Sequence, residues 1–99
     1  MAVMLQFLFN SEIYKIMITQ RYLLTEITNH IKLPVGAEIV SVDYRAKCIC
    51  IWARFKKSAK AQTRRVFVVR FDNQKLLSDV YLGIIKRPSG EYRVYEQKV

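Results

Sequence analysis

The chain has 99 residues, 52% hydrophobic, 25% charged and 12% aromatic, with three Gly and two Pro. One globular domain fits this length, and two domains, a collagen-like repeat and an intrinsically disordered chain are excluded. Seventeen Lys and Arg against eight Asp and Glu give a formal charge of +9, which points to acidic partners and says nothing of fold. In chain order, Met1 to Phe9 is apolar but lacks a positive flank and is interrupted by Asn10, Ser11 and Glu12. It is too short to span a bilayer and makes a poor signal peptide. Ile13 to Thr19 is Ile-rich and reads as a strand, although Met1 to Thr28 also tolerates a helix with Leu23, Leu24 and Ile27 at helical spacing. Thr28 to Leu33 reads as extended, delivered into a turn at Pro34-Val35-Gly36.

From residue 38 onward the period is two, with matching β-branched and aromatic content. Glu38 to Tyr44 is predicted as a strand with Val40, Val42 and Tyr44 on one face and Ser41 and Asp43 on the other. Lys47 to Phe55 follows across a tight Arg45-Ala46 link, with Ile49, Ile51, Ala53 and Phe55 opposing Cys48, Cys50, Trp52 and Arg54. Lys56 to Thr63 is a polar loop. In the next strand, Arg64 to Phe71, Arg65, Phe67, Val69 and Phe71 alternate with Val66, Val68 and Arg70. Asp72 to Asp79 could hold one helical turn. Val80 to Lys86 and Glu91 to Glu96 form a last hairpin, where Pro88 fixes φ and Gly90 accepts φ > 0. Strand-turn-strand units at this spacing give an all-β or β-rich α+β domain. The expected architecture is a small antiparallel sandwich or partly open barrel of five to six strands, with at most one or two short helices.

Catalytic and metal-binding constellations are missing from the pattern. Cys48 and Cys50 sit two apart on one strand face, with Cα atoms about 6.8 Å apart and parallel Cβ vectors, so both read as reduced thiols. With His30, the sole histidine, they would give three zinc ligands at the wrong spacing. The carboxylates are scattered singly, and Gly36, Gly83 and Gly90 build no phosphate loop. The sequence predicts no enzyme, no cofactor and no metal.

The charge has a location. From Tyr44 to Phe71 there are nine cations, Arg45, Lys47, Arg54, Lys56, Lys57, Lys60, Arg64, Arg65 and Arg70, and no Asp or Glu. The remaining chain is formally neutral. Read as one hairpin, residues 44–71 become an arm whose charges lie within a Debye length of one another and can meet successive phosphates. The bland reading is a solvated loop that blunts strand edges. Tyr44, Trp52, Phe55, Phe67 and Phe71 flank the arm, and Trp52, sharing a strand face with Arg54, is the candidate for base stacking.

Leu33-Pro34-Val35-Gly36-Ala37-Glu38-Ile39-Val40-Ser41-Val42 resembles a family of small phage and prophage β proteins with the pattern Leu-Pro-x-Gly-Ala-x-Ile-Leu-Ser-Val. The resemblance continues through Cys50-Ile51-Trp52-Ala53, Tyr81-Leu82-Gly83 and Tyr92-Arg93-Val94-Tyr95-Glu96, and covers about residues 21 to 96. It implies a compact β fold and a host-takeover or anti-defence role, with no catalytic residues. The sequence departs from the family pattern in its wholly basic segment Arg54 to Arg65, where the family is acidic or mixed, and in residues 1–16, which precede the family's usual start.

The sequence therefore predicts an amino-terminal extension over 1–16, serving as an added strand or a self-association arm for a homodimer, and one β-rich domain over 17–99. The expected function is a non-enzymatic, phage-encoded accessory protein of the host-cell cytoplasm, with no membrane partner. Its basic hairpin would inhibit a host or anti-phage defence complex. Direct, phosphate-driven binding of DNA or RNA is the alternative, and a virion or assembly component the second.

Overall fold

The computed structural model describes residues 16–71 and 79–98. Seven strands run β1 Met17–Leu24, β2 Thr28–Pro34, β3 Glu38–Arg45, β4 Cys48–Lys56, β5 Gln62–Arg70, β6 Val80–Arg87 and β7 Gly90–Glu96. Every pairing is antiparallel. They form two sheets, β1-β4-β3 and β2-β5-β7-β6, so the fold is an open all-β sandwich, with no helix among the described residues. No helix among them is long and apolar enough to cross a membrane. The strand count exceeds the expected five to six because the amino-terminal third supplies two full strands. The expected helical turn over Asp72–Asp79 and most of the extension over 1–16 lie outside the described residues.

Alternating side chains build the core. Ile49, Ile51, Ala53 and Phe55 of β4 face Leu33, Phe67, Ile85 and Val94 of the other sheet, and Leu33, Ile51, Ala53, Phe67 and Val94 are fully buried. The sheets approach most closely where β6 meets β3. A Cβ on Gly83 would lie 3.1 Å from Val42 Cγ2, so a side chain at this crossing requires Val42 to give way by a few tenths of an ångström. At the β1–β2 connection the buried Asn29 accepts from the Glu26 N–H at 3.0 Å and donates to the Glu26 carbonyl at 2.8 Å, satisfying a turn that would otherwise orphan backbone groups.

Several expectations are corrected. The favoured strand reading of the amino-terminal third holds, with β1 running on to Leu24 beyond the expected Thr19, and the helical alternative for Leu23, Leu24 and Ile27 does not form: Leu24 is buried, Leu23 is 49% exposed and Ile27 75%, the pattern of a strand running into a turn. A bulge between Ile39 and Ser41 inserts Val40 as an unpaired residue and shifts the facing register. Ile39, Val42 and Tyr44 pack on the core while Val40 is exposed. The β3–β4 turn falls on Ala46-Lys47 with φ of 51° and 64°, one residue later than expected.

The largest correction concerns the basic arm. β4 pairs with β1 and β3, whereas β5 pairs with β2 and β7 in the other sheet, so residues 44–71 are not a hairpin. Both edges of β4 are occupied, and residues 57–61 carry the chain from one sheet to the other. That crossover is tied down by Lys57 N–H to the Ile16 carbonyl at 3.0 Å, Ala59 N–H to the Lys56 carbonyl at 3.0 Å, and Val35 N–H to the Ala61 carbonyl at 2.9 Å.

Candidate anion-binding surface

The nine cations of residues 44–71 are distributed over four places. β4 has nine residues, so its ends lie about 26 Å apart, beyond a Debye length of about 8 Å. Arg45 and Lys47 at one end therefore do not add their field to Lys56, Lys57 and Lys60 at the other.

The outer face of the three-stranded sheet carries Trp52, Arg45 and Arg54, all engaged within the domain. Arg45 donates to Asp43 at 2.7 Å and lies over the half-buried Trp52 ring at 5.7 Å. Arg54 pairs with Glu38 at 2.9 Å. Asp43 also accepts from the Tyr44 N–H at 2.8 Å; that bond, then Arg45, holds its carboxyl below the ordinary carboxylate range. Cys50 lies across the register from Asp43 and Leu23. Desolvation, then the Asp43 charge, pushes its thiol up, the opposite of an activated nucleophile. Cys48 and Cys50 are free thiols on this face, whereas exposed His30 is on the outer face of the other sheet, so no Cys–His pair forms. Among the described residues no group of three or more His, Cys, Asp or Glu is placed to hold a metal ion.

Arg65 points inward. Its Nε and Nη2 donate to the two Glu96 carboxylate oxygens at 2.5 and 2.6 Å and Nη1 donates to the Ala37 carbonyl. Its guanidinium lies 5.9 Å from the Phe67 ring centroid. This fork ties β5, β7 and the β2–β3 turn together and is a structural group. Its alternation with Phe67 and Val69 on the core face was the sequence signal for that role.

What remains is a basic corner. Lys56, Lys57 and Lys60 of the crossover and Arg64 of β5 are exposed, and no carboxylate of the described residues pairs with them. Across the β2–β5 ladder Arg64 stands directly opposite Lys32, a residue outside the 44–71 segment that charge counting along the chain missed. At the far end of β5, Arg70 stands opposite Arg93 of β7. Like charges directly opposite destabilise a sheet, and the four-stranded sheet carries two such pairs on its outer face. Among the other aromatic candidates, Phe55 and Phe67 are core residues. Tyr44 packs under Arg87 at 4.4 Å. Phe71 meets Tyr92 edge-on at 5.1 Å.

No curated protein and no solved structure matches the chain. A family model described as "Domain of unknown function (DUF7352)" matches residues 10–99, nearly the whole chain and all seven strands, and the chain belongs to that family.

Proposed function

We propose that this domain is a non-enzymatic binding module for the phosphate backbone of nucleic acid, held by Lys56, Lys57, Lys60 and Arg64. The observation that supports the reading is their unpaired state. Arg45, Arg54 and Arg65 have carboxylate partners, and Lys47 and Arg70 stand apart at other strand ends, whereas these four gather beside Lys32 around the crossover, at the end of β4, within 57–61 and at the start of β5, with no carboxylate of the described residues paired with them. Fixed cations at this density attract polyanions and release condensed counterions on binding. An inhibitor of a host or defence complex, with a phage origin, rests on the resemblance over residues 21 to 96 and has no side-chain arrangement behind it.

Fluorescence anisotropy of labelled oligonucleotides across a salt series tests the proposal. Four phosphate contacts give a slope of log affinity against log salt of about −3 for single strands and about −3.6 for duplex. Changing Lys56, Lys57, Lys60 and Arg64 together to Ser should flatten that slope while leaving the far-UV circular dichroism unchanged. An unchanged slope and affinity in that variant would refute the assignment.

A further inference from the structure

We infer that the nucleic acid is single-stranded and that it runs from the basic corner obliquely across the outer face of the four-stranded sheet, from β5 over β7 to the edge strand β6, with Tyr81 stacking on a base. This rests on the reading of the corner as a phosphate site and extends it to a path and a substrate class.

The outer face is read from the register. One row across the sheet holds Lys32 and Arg64, and another holds Arg70, Arg93 and Ile84. Between them lies the row Thr28, Val68, Tyr95 and Tyr81. Arg64 and Arg70 are six residues apart on one strand, so the cationic rows are separated by about 20 Å. Val68 of the row between them is two residues from Arg70, and Tyr95 and Tyr81 follow on β7 and on the edge strand β6. Tyr81 is 53% exposed, its ring tilted 54° against Tyr95 at 5.6 Å, while Tyr95 is 2% exposed. The buried ring packs beside the exposed one, and Tyr81 keeps about half of its surface open to solvent.

Two features favour an anion on this face. The Lys32–Arg64 position sets cation against cation across adjacent strands, an arrangement that an intervening phosphate would relieve. Arg70 Nε is a buried donor with no acceptor among the described residues, a cost that the free fold carries, while the side chain as a whole keeps part of its surface open to solvent. Arg93 reaches Glu91 at 3.4 Å, and Glu91 is the acidic residue that the register places on this face among the described strands. A basic corner and an exposed ring on one sheet face match an unpaired strand, whose bases can be splayed onto an aromatic face. A duplex keeps its bases stacked within and offers that ring nothing.

The test uses the full chain and four fluorescein-labelled probes: dT12, rU12, a 12-base-pair duplex, and a 12-unit abasic deoxyribose-phosphate strand. The wild type should bind dT12 and rU12 more tightly than the duplex. Tyr81→Ala should weaken dT12 and rU12 by at least about fivefold and leave the abasic strand unchanged, and Tyr81→Phe should retain binding. Arg70→Gln should weaken all three single-stranded probes. If the corner variant loses dT12 affinity while Tyr81→Ala and Arg70→Gln do not, the sheet-face path is wrong and the phosphate corner stands. A duplex bound as tightly as dT12 also overturns the path. If the wild type binds none of the probes, the corner assignment falls as well.

Discussion

Arg65 distinguishes a cation that holds the fold from one that meets a partner, and its replacement by Ala has a magnitude that the contacts set. Three charge-assisted hydrogen bonds disappear, two to Glu96 and one to the Ala37 carbonyl, and the Glu96 carboxylate is left without its counter-charge. Removing one member of a fully buried pair costs about 3–5 kcal/mol. Here the two side chains retain 22% and 18% of their exposure, so water recovers part of the loss, and the expected cost is about 3 kcal/mol including the contact with the Phe67 ring. For a domain of this size that lowers the melting temperature by roughly 12–24 °C. Arg65→Lys keeps the charge but not the two-pronged geometry and should cost about half as much. Urea unfolding followed through Trp52 fluorescence measures both, with the slope in denaturant unchanged because the same surface is exposed. In parallel, Lys57→Ser and Lys60→Ser should leave stability within about 0.5 kcal/mol, as surface changes do. If Arg65→Ala is as stable as wild type while nucleic-acid affinity falls, the inward assignment of Arg65 is refuted and it joins the binding surface.

Two further outcomes follow from local geometry. Ala46 and Lys47 occupy the left-handed region at φ 51° and 64°, a mirror-image turn that Asn-Gly fits without strain. Ala46→Asn with Lys47→Gly should stabilise the protein by about 1–2 kcal/mol in urea titration, and a loss of stability would contradict the turn assignment. In a Cys48→Ser background, the ultraviolet thiolate absorbance of Cys50 should titrate with a pH midpoint above the ordinary free-thiol range, because burial and then Asp43 oppose the thiolate. Asp43→Asn should lower that midpoint. The folded chain holds this proton more tightly than the unfolded chain, so the linked stability is present below the ordinary thiol pKa. It is lost as pH rises through the folded value. A midpoint at or below the ordinary range would show that Cys50 is not desolvated.

The strands were legible because each sees core on one side and water on the other, which writes a period of two into β4, β5 and β7. Partner choice is not written that way: alternation in β4 reads the same whether its neighbour is β5 or β1. Five residues over 57–61 can close a hairpin or change sheets. The decision belongs to β1, whose eight residues pair with β4 from Met17 opposite Lys56 to Leu24 opposite Ile49 and fill the edge that a hairpin would have used. Val40 was misplaced for a related reason, since a bulge adds a residue without altering the residue types around it. Charge obeys the same logic. Counting along the chain gathered nine cations into one segment and left Lys32 and Arg93 in a neutral remainder. Counting across the register separates Arg45 from Lys57 by the length of β4 and seats Lys32 beside Arg64 and Arg93 beside Arg70. A polyanion bound as proposed would meet the surface that the register assembles, and the cations it meets would include Lys32, which the linear tally had already cancelled against distant carboxylates.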